Sequence, residues 1–266
     1  MLTHGILAPH PPVIIPGVGG KDVQKFEKTI NALLAVSLKL KENKPDTLIV
    51  LTPHAEIKMD SFVVRVPKEP NFTADFTEFG DAESSAEYVR DRLLTAQLIE
   101  GIQSAGLRTS ILEDAKLDFG SSVPLYYLAA GLPDSEIVNL GVAFAGVPEH
   151  GKLGEVIREV ADKSEQKIAL IASGELSHKV AKSSPHGFDP AGVAWDEKIV
   201  QALQAGDADT ILQQDPFELD EVGECGFRSI VTLISAFKKI PHKQELLSYE
   251  APGGIGVAVA VFEASA

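Results

Sequence analysis

Short uninterrupted apolar runs alternate along the chain with longer segments in which apolar positions recur every three or four residues. The runs at 5–8, 47–52, 61–66, 137–142 and 167–172 predict β-strands, since a strand covered on both faces needs no polar alternation. Between the first two, Val23, Phe26, Ile30, Leu33, Leu34 and Leu40 form one stripe and predict a helix over 21–41. Helical spacing also predicts helices over 82–106, 123–131, 150–163, 194–205 and 226–238, with Gly106 and Gly131 as C-terminal stops. Strand, helix, strand is the order of an α/β fold with a mostly parallel central sheet. Near the end, 245–249 and 256–262 flank Pro252-Gly253-Gly254, which predicts an antiparallel pair at the sheet edge and so a mixed sheet. Two stretches rich in turn residues, 69–81 and 181–192, are expected to be loops long enough to act as lids.

Three predicted strands run into residues that carry chemistry. The first leads into Pro9-His10-Pro11-Pro12, the second into Pro53-His54, and the last into Ser173-Gly174-Glu175-Leu176-Ser177-His178. In an open α/β sheet, ligands gather beyond the carboxyl ends of the strands, so these tips are expected to share one pocket. Pro11 and Pro12 stiffen the backbone after His10. Glu175 and His178 lie three apart; if a helix starts there they share a face, and the carboxylate orients the imidazole. An ordinary capped first turn would instead leave His178 at the surface. Glu224-Cys225-Gly226 precedes an apolar run and brings a carboxylate and a thiol to a helix N-terminus, which favours either as an anion. A buried structural cysteine is the plainer use of the same residue.

Histidines and an anionic group at strand tips suggest a metal centre. Two histidines and one carboxylate are the donor set of non-haem iron(II) oxygenases, whereas a cysteine in the third place favours zinc or copper(I). Spacing leaves the choice between Glu224 and Cys225 open. A neutral His178 beside the ion would serve as acid or base near neutral pH. His186, in the second candidate lid, is a candidate to close over the site, with an ordinary surface histidine as the plainer reading.

Composition narrows the partners. A chain of 266 residues, 44% hydrophobic, can bury a sizeable core, and no internal boundary stands out, so one domain over 1–266 is expected. A formal charge of −14 disfavours nucleic acid and anionic membranes. Small molecules, metals and proteins are the expected partners, and homo-oligomerisation is left open. The N-terminus has no basic segment followed by an apolar run, no stretch is long enough to span a bilayer, and Cys225 is the one cysteine, which together predict a cytoplasmic protein.

Taken in order, Pro9-His10-Pro11-Pro12, Thr52-Pro53-His54, Ser173 to His178, Glu224-Cys225-Gly226 and Leu246-Leu247-Ser248-Tyr249-Glu250 resemble the class III extradiol dioxygenase catalytic-subunit (LigB-type) superfamily, with the Memo-like domain of AmmeMemoRadiSam system proteins as the nearest branch. The resemblance implies a three-layer α/β/α domain and one iron(II) at the strand tips. It implies His10 and His54 as ligands with a glutamate from the region of Glu224, and His178, supported by Glu175, as acid and base. The implied reaction opens a catechol or aminophenol ring with O2. The chain departs from that pattern twice. Alignment on Gly226 sets Cys225, as in the Memo branch, in the glutamate's place, and Phe119 stands where relatives carry a substrate-facing histidine. Phe119 can wall a pocket and stack on an aromatic ring. The second implied reading is a Memo-like metal-binding or interaction protein without ring cleavage, working with a radical enzyme and a small partner protein. A zinc hydrolase on the same ligands is a third.

Overall fold

A computed structural model describes residues 1–214 and 216–265, with 216–218 as backbone only. Its strands are β1 Leu2–Ala8, β2 Thr47–Thr52, β3 Phe62–Arg65, β4 Asn71–Phe76, β5 Asp81–Val89, β6 Thr109–Leu112, β7 Glu136–Gly141, β8 Ile168–Ser173, β9 His242–Glu250 and β10 Val257–Ala264. Its helices are α1 Pro16–Gly19, α2 Glu27–Glu42, α3 Arg92–Ser104, α4 Phe119–Leu128, α5 Val147–Lys163, α6 Pro190–Ala205, α7 Ala208–Leu212, α8 Pro216–Val222 and α9 Phe227–Phe237. Eight strands form one sheet in the order β6-β3-β7-β2-β8-β1-β10-β9. The central four, β7-β2-β8-β1, are parallel. The β9–β10 hairpin closes one edge antiparallel to β1, and β3 meets β7 antiparallel near the other.

Every residue of β1, β2 and β8 is buried, which is why their central positions are apolar without alternation, with Thr3, His4, Thr47, Thr52 and Ser173 as buried polar residues. Successive side chains nonetheless enter different cores. Ile6, Leu48, Val50 and Ile171 pack with Leu33, Val36 and Leu40 of α2 and Leu125 and Leu128 of α4. Leu7, Ile49, Leu51 and Leu170 pack on the opposite face with α3, α5, α6 and α9. The result is a three-layer α/β/α fold with a mixed, mostly parallel sheet. Among the described residues no helix is long and apolar enough to cross a membrane.

The helix predicted over 82–106 is corrected: its first third is β5, and only Arg92–Ser104 is helical. The segment expected to be a loop over 69–81 contains β4, whose Phe72, Ala74 and Phe76 are buried at alternate positions. That buried edge anchors the hairpin, and pairing from Asn71↔Val89 inward overrides the helix preference of Ala82, Glu83, Ala86 and Glu87. Asp91 then starts α3 by accepting the Leu94 amide at 2.8 Å. Carboxylate caps also begin α4 and α6 earlier than apolar spacing predicts, at Asp118 and Asp189. The predicted helix over 21–41 opens as 3-10 turns over Gly20–Phe26 and becomes α-helical at Glu27.

Candidate metal centre

In the sheet β2, β8 and β1 are consecutive and parallel, so their carboxyl ends lie side by side. Leu51 pairs with Ala172 and Ala8 with Ser173, and His10, His54 and the 173–178 segment leave the sheet together. Two helix starts complete the site from opposite faces: Phe119 opens α4, and Cys225 precedes α9. The close approach of α9 depends on two glycines. A Cβ on Gly174 would sit 2.1 Å from Gly226 Cα, and one on Gly226 would sit 2.7 Å from the Glu175 oxygen. Backbone packed on backbone there brings the Cys225 thiol to the strand tips.

The donor atoms of His10, His54 and Cys225 all lie within 4.8 Å of one another, as do those of Glu175, His178 and Cys225. His10 Nε2 is 3.0 Å from His54 Nε2 and 3.6 Å from Cys225 Sγ. Glu224, in contrast, turns to the base of α9. Its Oε2 accepts the Phe227 amide at 2.5 Å, and its Oε1 lies 3.9 Å from Arg228. The described donor clusters therefore include Cys225 and leave out Glu224.

Proton accounting fixes the tautomer of His10. Pro124 has no N–H, so the Gly120 carbonyl lacks its usual partner four residues on. The Ser173 hydroxyl donates to that carbonyl instead. With its single proton spent, Ser173 Oγ can only accept from His10 Nδ1, 2.8 Å away. His10 is thus protonated on Nδ1 and presents a bare Nε2 lone pair to His54 and Cys225. This is the outer hydrogen bond that metal-binding histidines use to set their orientation.

Burial lowers the His10 pKa to about 4 and lowers that of His54, so both imidazoles are neutral at pH 7. Burial pushes the Cys225 thiol well above its ordinary value. It also pushes the Glu175 carboxyl up, but the nearby imidazoles of His10, His178 and His54 outweigh it and leave that carboxyl below the usual range. His178 Nε2 lies 3.3 Å from Glu175 Oε2, within ion-pair distance but without hydrogen-bond geometry.

Residues 174–177 are irregular, and no helix starts there. Leu176 N donates to Gly256 O at 2.8 Å, Ser177 N to Asp196 Oδ1 at 2.8 Å, and His178 N to Gly223 O at 3.1 Å. Asp196 is fully buried and also accepts from the Tyr249 hydroxyl at 2.7 Å. Burial raises its pKa to about 6.

Phe119 stacks on His54 with ring centroids 4.2 Å apart and 30° between planes, and meets His10 edge-on at 5.6 Å. His186 lies parallel to His178 at 5.7 Å, in the irregular segment 181–189. His54 is also held by its amide, which donates to Thr52 Oγ1 at 3.1 Å, while that hydroxyl donates to Asp118 Oδ1 at 2.6 Å. Arg65 braces Asp118 Oδ2 at 3.3 Å. The structuring roles of Thr52, Asp118, Ser173 and Asp196 were not evident from the sequence motifs. The one signal was Asp118 standing beside Phe119-Gly120 ahead of Pro124.

The family described as the catalytic LigB subunit of aromatic ring-opening dioxygenase matches residues 4–260, and the chain belongs to it. Protein CA_C1420 of Clostridium acetobutylicum is 29% identical over 97% of this chain, which spans 57% of that protein's length. The 2-aminophenol 1,6-dioxygenase beta subunit of a Pseudomonas species is 24% identical over 97% of this chain and 92% of its own. The crystal structure of the uncharacterized Escherichia coli protein JW3007 shares the fold, with a TM-score of 0.64 at 15% identity, covering 97% of this chain and 99% of that one.

Proposed function

We propose that this chain holds one transition-metal ion through His10, His54 and Cys225 and opens the ring of a small catechol or aminophenol with O2. The observation that carries this reading is the convergence of those three donors, with the Glu175–His178 pair beside them. The neutral imidazoles and the bare Nε2 of His10 fit a resident ion. Sulfur in the third place makes the site softer than the two-histidine, one-carboxylate set, which adds zinc and copper(I) to iron(II) as candidates, and ring opening with O2 requires a redox-active one, since zinc has no redox chemistry. When bound, an ion supplies Lewis acidity toward an aromatic hydroxyl and, if redox-active, a route for electrons to dioxygen.

The chain's own residues supply the rest. His178 Nε2, without a hydrogen-bond partner and next to the Glu175 carboxylate, takes the proton of the substrate hydroxyl and returns it later. Phe119 lies on His54 and His186 on His178, so each donor cluster has an aromatic ring beside it against which a flat substrate would pack. The Pseudomonas relative's name, which specifies 2-aminophenol, supports the aminophenol within that substrate class.

A second reading rests on the same sulfur donor and on Phe119, which offers no hydrogen bond to a substrate. In it the chain is a Memo-like metal-binding protein that works with a radical enzyme and does not open rings. Anaerobic loading with iron(II), zinc(II) or copper(I), followed by oxygen uptake on catechols and aminophenols, separates the two. Uptake that requires an ion and is lost in His178→Gln supports ring opening. Stoichiometric metal binding with no uptake on any substrate supports the second reading.

A further inference from the structure

His10 and His54 are oriented by different means. Ser173 holds the far nitrogen of His10. Among the described residues the only hydrogen-bond partner of the His54 ring is His10 Nε2, so no other protein group holds its Nδ1. A metal-binding histidine ordinarily relies on such a bond to fix its ring plane. What His54 has instead is an aromatic face, since Phe119 lies on it at 4.2 Å and 30°. Phe119 is itself backed edge-on by Phe79, at 5.6 Å and 82°, from the 3-10 turn Thr77–Phe79 that joins β4 to β5. Behind the His54 ring plane, then, stands a column of two phenylalanines anchored by a separate hairpin. The next residue is confined as well: a Cβ on Gly120 would come within 2.5 Å of Thr52 Oγ1 and 3.1 Å of His54 Cδ2.

From this geometry we infer that Phe119 is a positioning residue for His54, fixing by ring stacking the imidazole plane that a hydrogen bond fixes in His10. The inference rests on the metal-centre reading and refines it: the face of Phe119 that lies on His54 is engaged by a ligand side chain, so Phe119 acts through His54 before it acts on any substrate. It also gives the β4–β5 hairpin a role, since Phe79 transmits the hairpin's placement to the centre.

Cobalt(II) is the probe, because a bound thiolate and the ligand geometry both show in its visible spectrum. An aromatic pair of this kind is worth about 0.5–1.5 kcal/mol, which bounds what pre-orienting His54 adds to affinity at a factor of about 2–12. Phe119→Leu is expected to weaken cobalt(II) binding by about that factor and alter the ligand-field bands, while Phe119→Tyr, which keeps the stack, retains both. In the metal-free protein, the ring-current shift of the His54 protons should be present in wild type and Phe119→Tyr and absent in Phe119→Leu, with melting temperatures followed to separate positioning from general loosening. Equal affinity, spectrum and His54 shifts in wild type and Phe119→Leu would overturn the inference, as would a Tyr variant as impaired as the Leu variant. A wild-type titration without a thiolate band would instead overturn the metal-centre reading, and this inference with it.

Discussion

Replacing Ser173 with alanine removes one hydroxyl and strands two buried polar groups, the His10 Nδ1–H and the Gly120 carbonyl. Neither recovers easily: Ser173 is fully buried, His10 is 1% exposed, and Pro124 cannot supply the amide that Gly120 lacks. A buried group left without a partner costs about 1–3 kcal/mol, so Ser173→Ala should lower stability by at least that much and the melting temperature by several degrees. The effect on the centre is separate. With Ser173 gone, nothing forces the proton onto Nδ1, and the Nε2 lone pair is no longer reserved for an ion. Losing such an outer partner costs about 10- to 100-fold in metal affinity. Competition against a chromophoric chelator, with zinc(II) on wild type and Ser173→Ala at equal folded concentration, measures it. Affinity within about twofold of wild type would refute the tautomer argument, because the loss scale for outer partners starts near tenfold.

Cys225→Ser should abolish tight metal binding, whereas Glu224→Gln should keep it and cost about 1 kcal/mol through weaker capping of α9, read by zinc titration and urea denaturation. Because burial holds the Cys225 thiol protonated, binding should release about one proton per ion and strengthen about tenfold per pH unit near neutrality, which calorimetry in buffers of different ionisation enthalpy measures. His10 titrates near 4 when folded against an ordinary 6.5, so the unfolded chain binds the extra proton between those values. Stability of the metal-free protein should therefore fall as pH drops from about 6.5 toward 4, by up to about 3 kcal/mol, with a shallower slope in His10→Gln. Gly174→Ala, whose methyl would collide with Gly226 Cα at 2.1 Å, should push α9 from the strand tips and lose both stability and metal affinity, read in the same two assays.

The central fold was legible because β1, β2 and β8 are buried on both faces and carry short apolar runs, Ile6-Leu7-Ala8, Leu48 to Leu51 and Ile168 to Ala172, without polar alternation. The convergence of their tips followed from parallel order alone. The β4–β5 hairpin was missed because β5 is largely exposed, so its composition reflects solvent and resembles a helix, although Phe72, Ala74 and Phe76 did alternate. The motifs named His10, His54, Glu175, His178 and Cys225, whose donor atoms the fold brings into two adjoining clusters, but left the choice between Glu224 and Cys225 open. One step along the backbone decides which side chain faces the strand tips and which caps α9, and that depends on the Gly174–Gly226 contact between segments fifty residues apart. The Ser173–Gly120 bond was hidden for a similar reason, since it exists only because a proline four residues after Gly120 leaves a carbonyl free.

X-ray absorption of the protein loaded with one equivalent of zinc(II) tests the centre most directly. One sulfur at about 2.3 Å and two imidazole nitrogens at about 2.0–2.1 Å are expected, with the sulfur shell lost in Cys225→Ser and unchanged in Glu224→Gln. A shell of nitrogen and oxygen alone, or a signal that depends on Glu224, would contradict this ligand set.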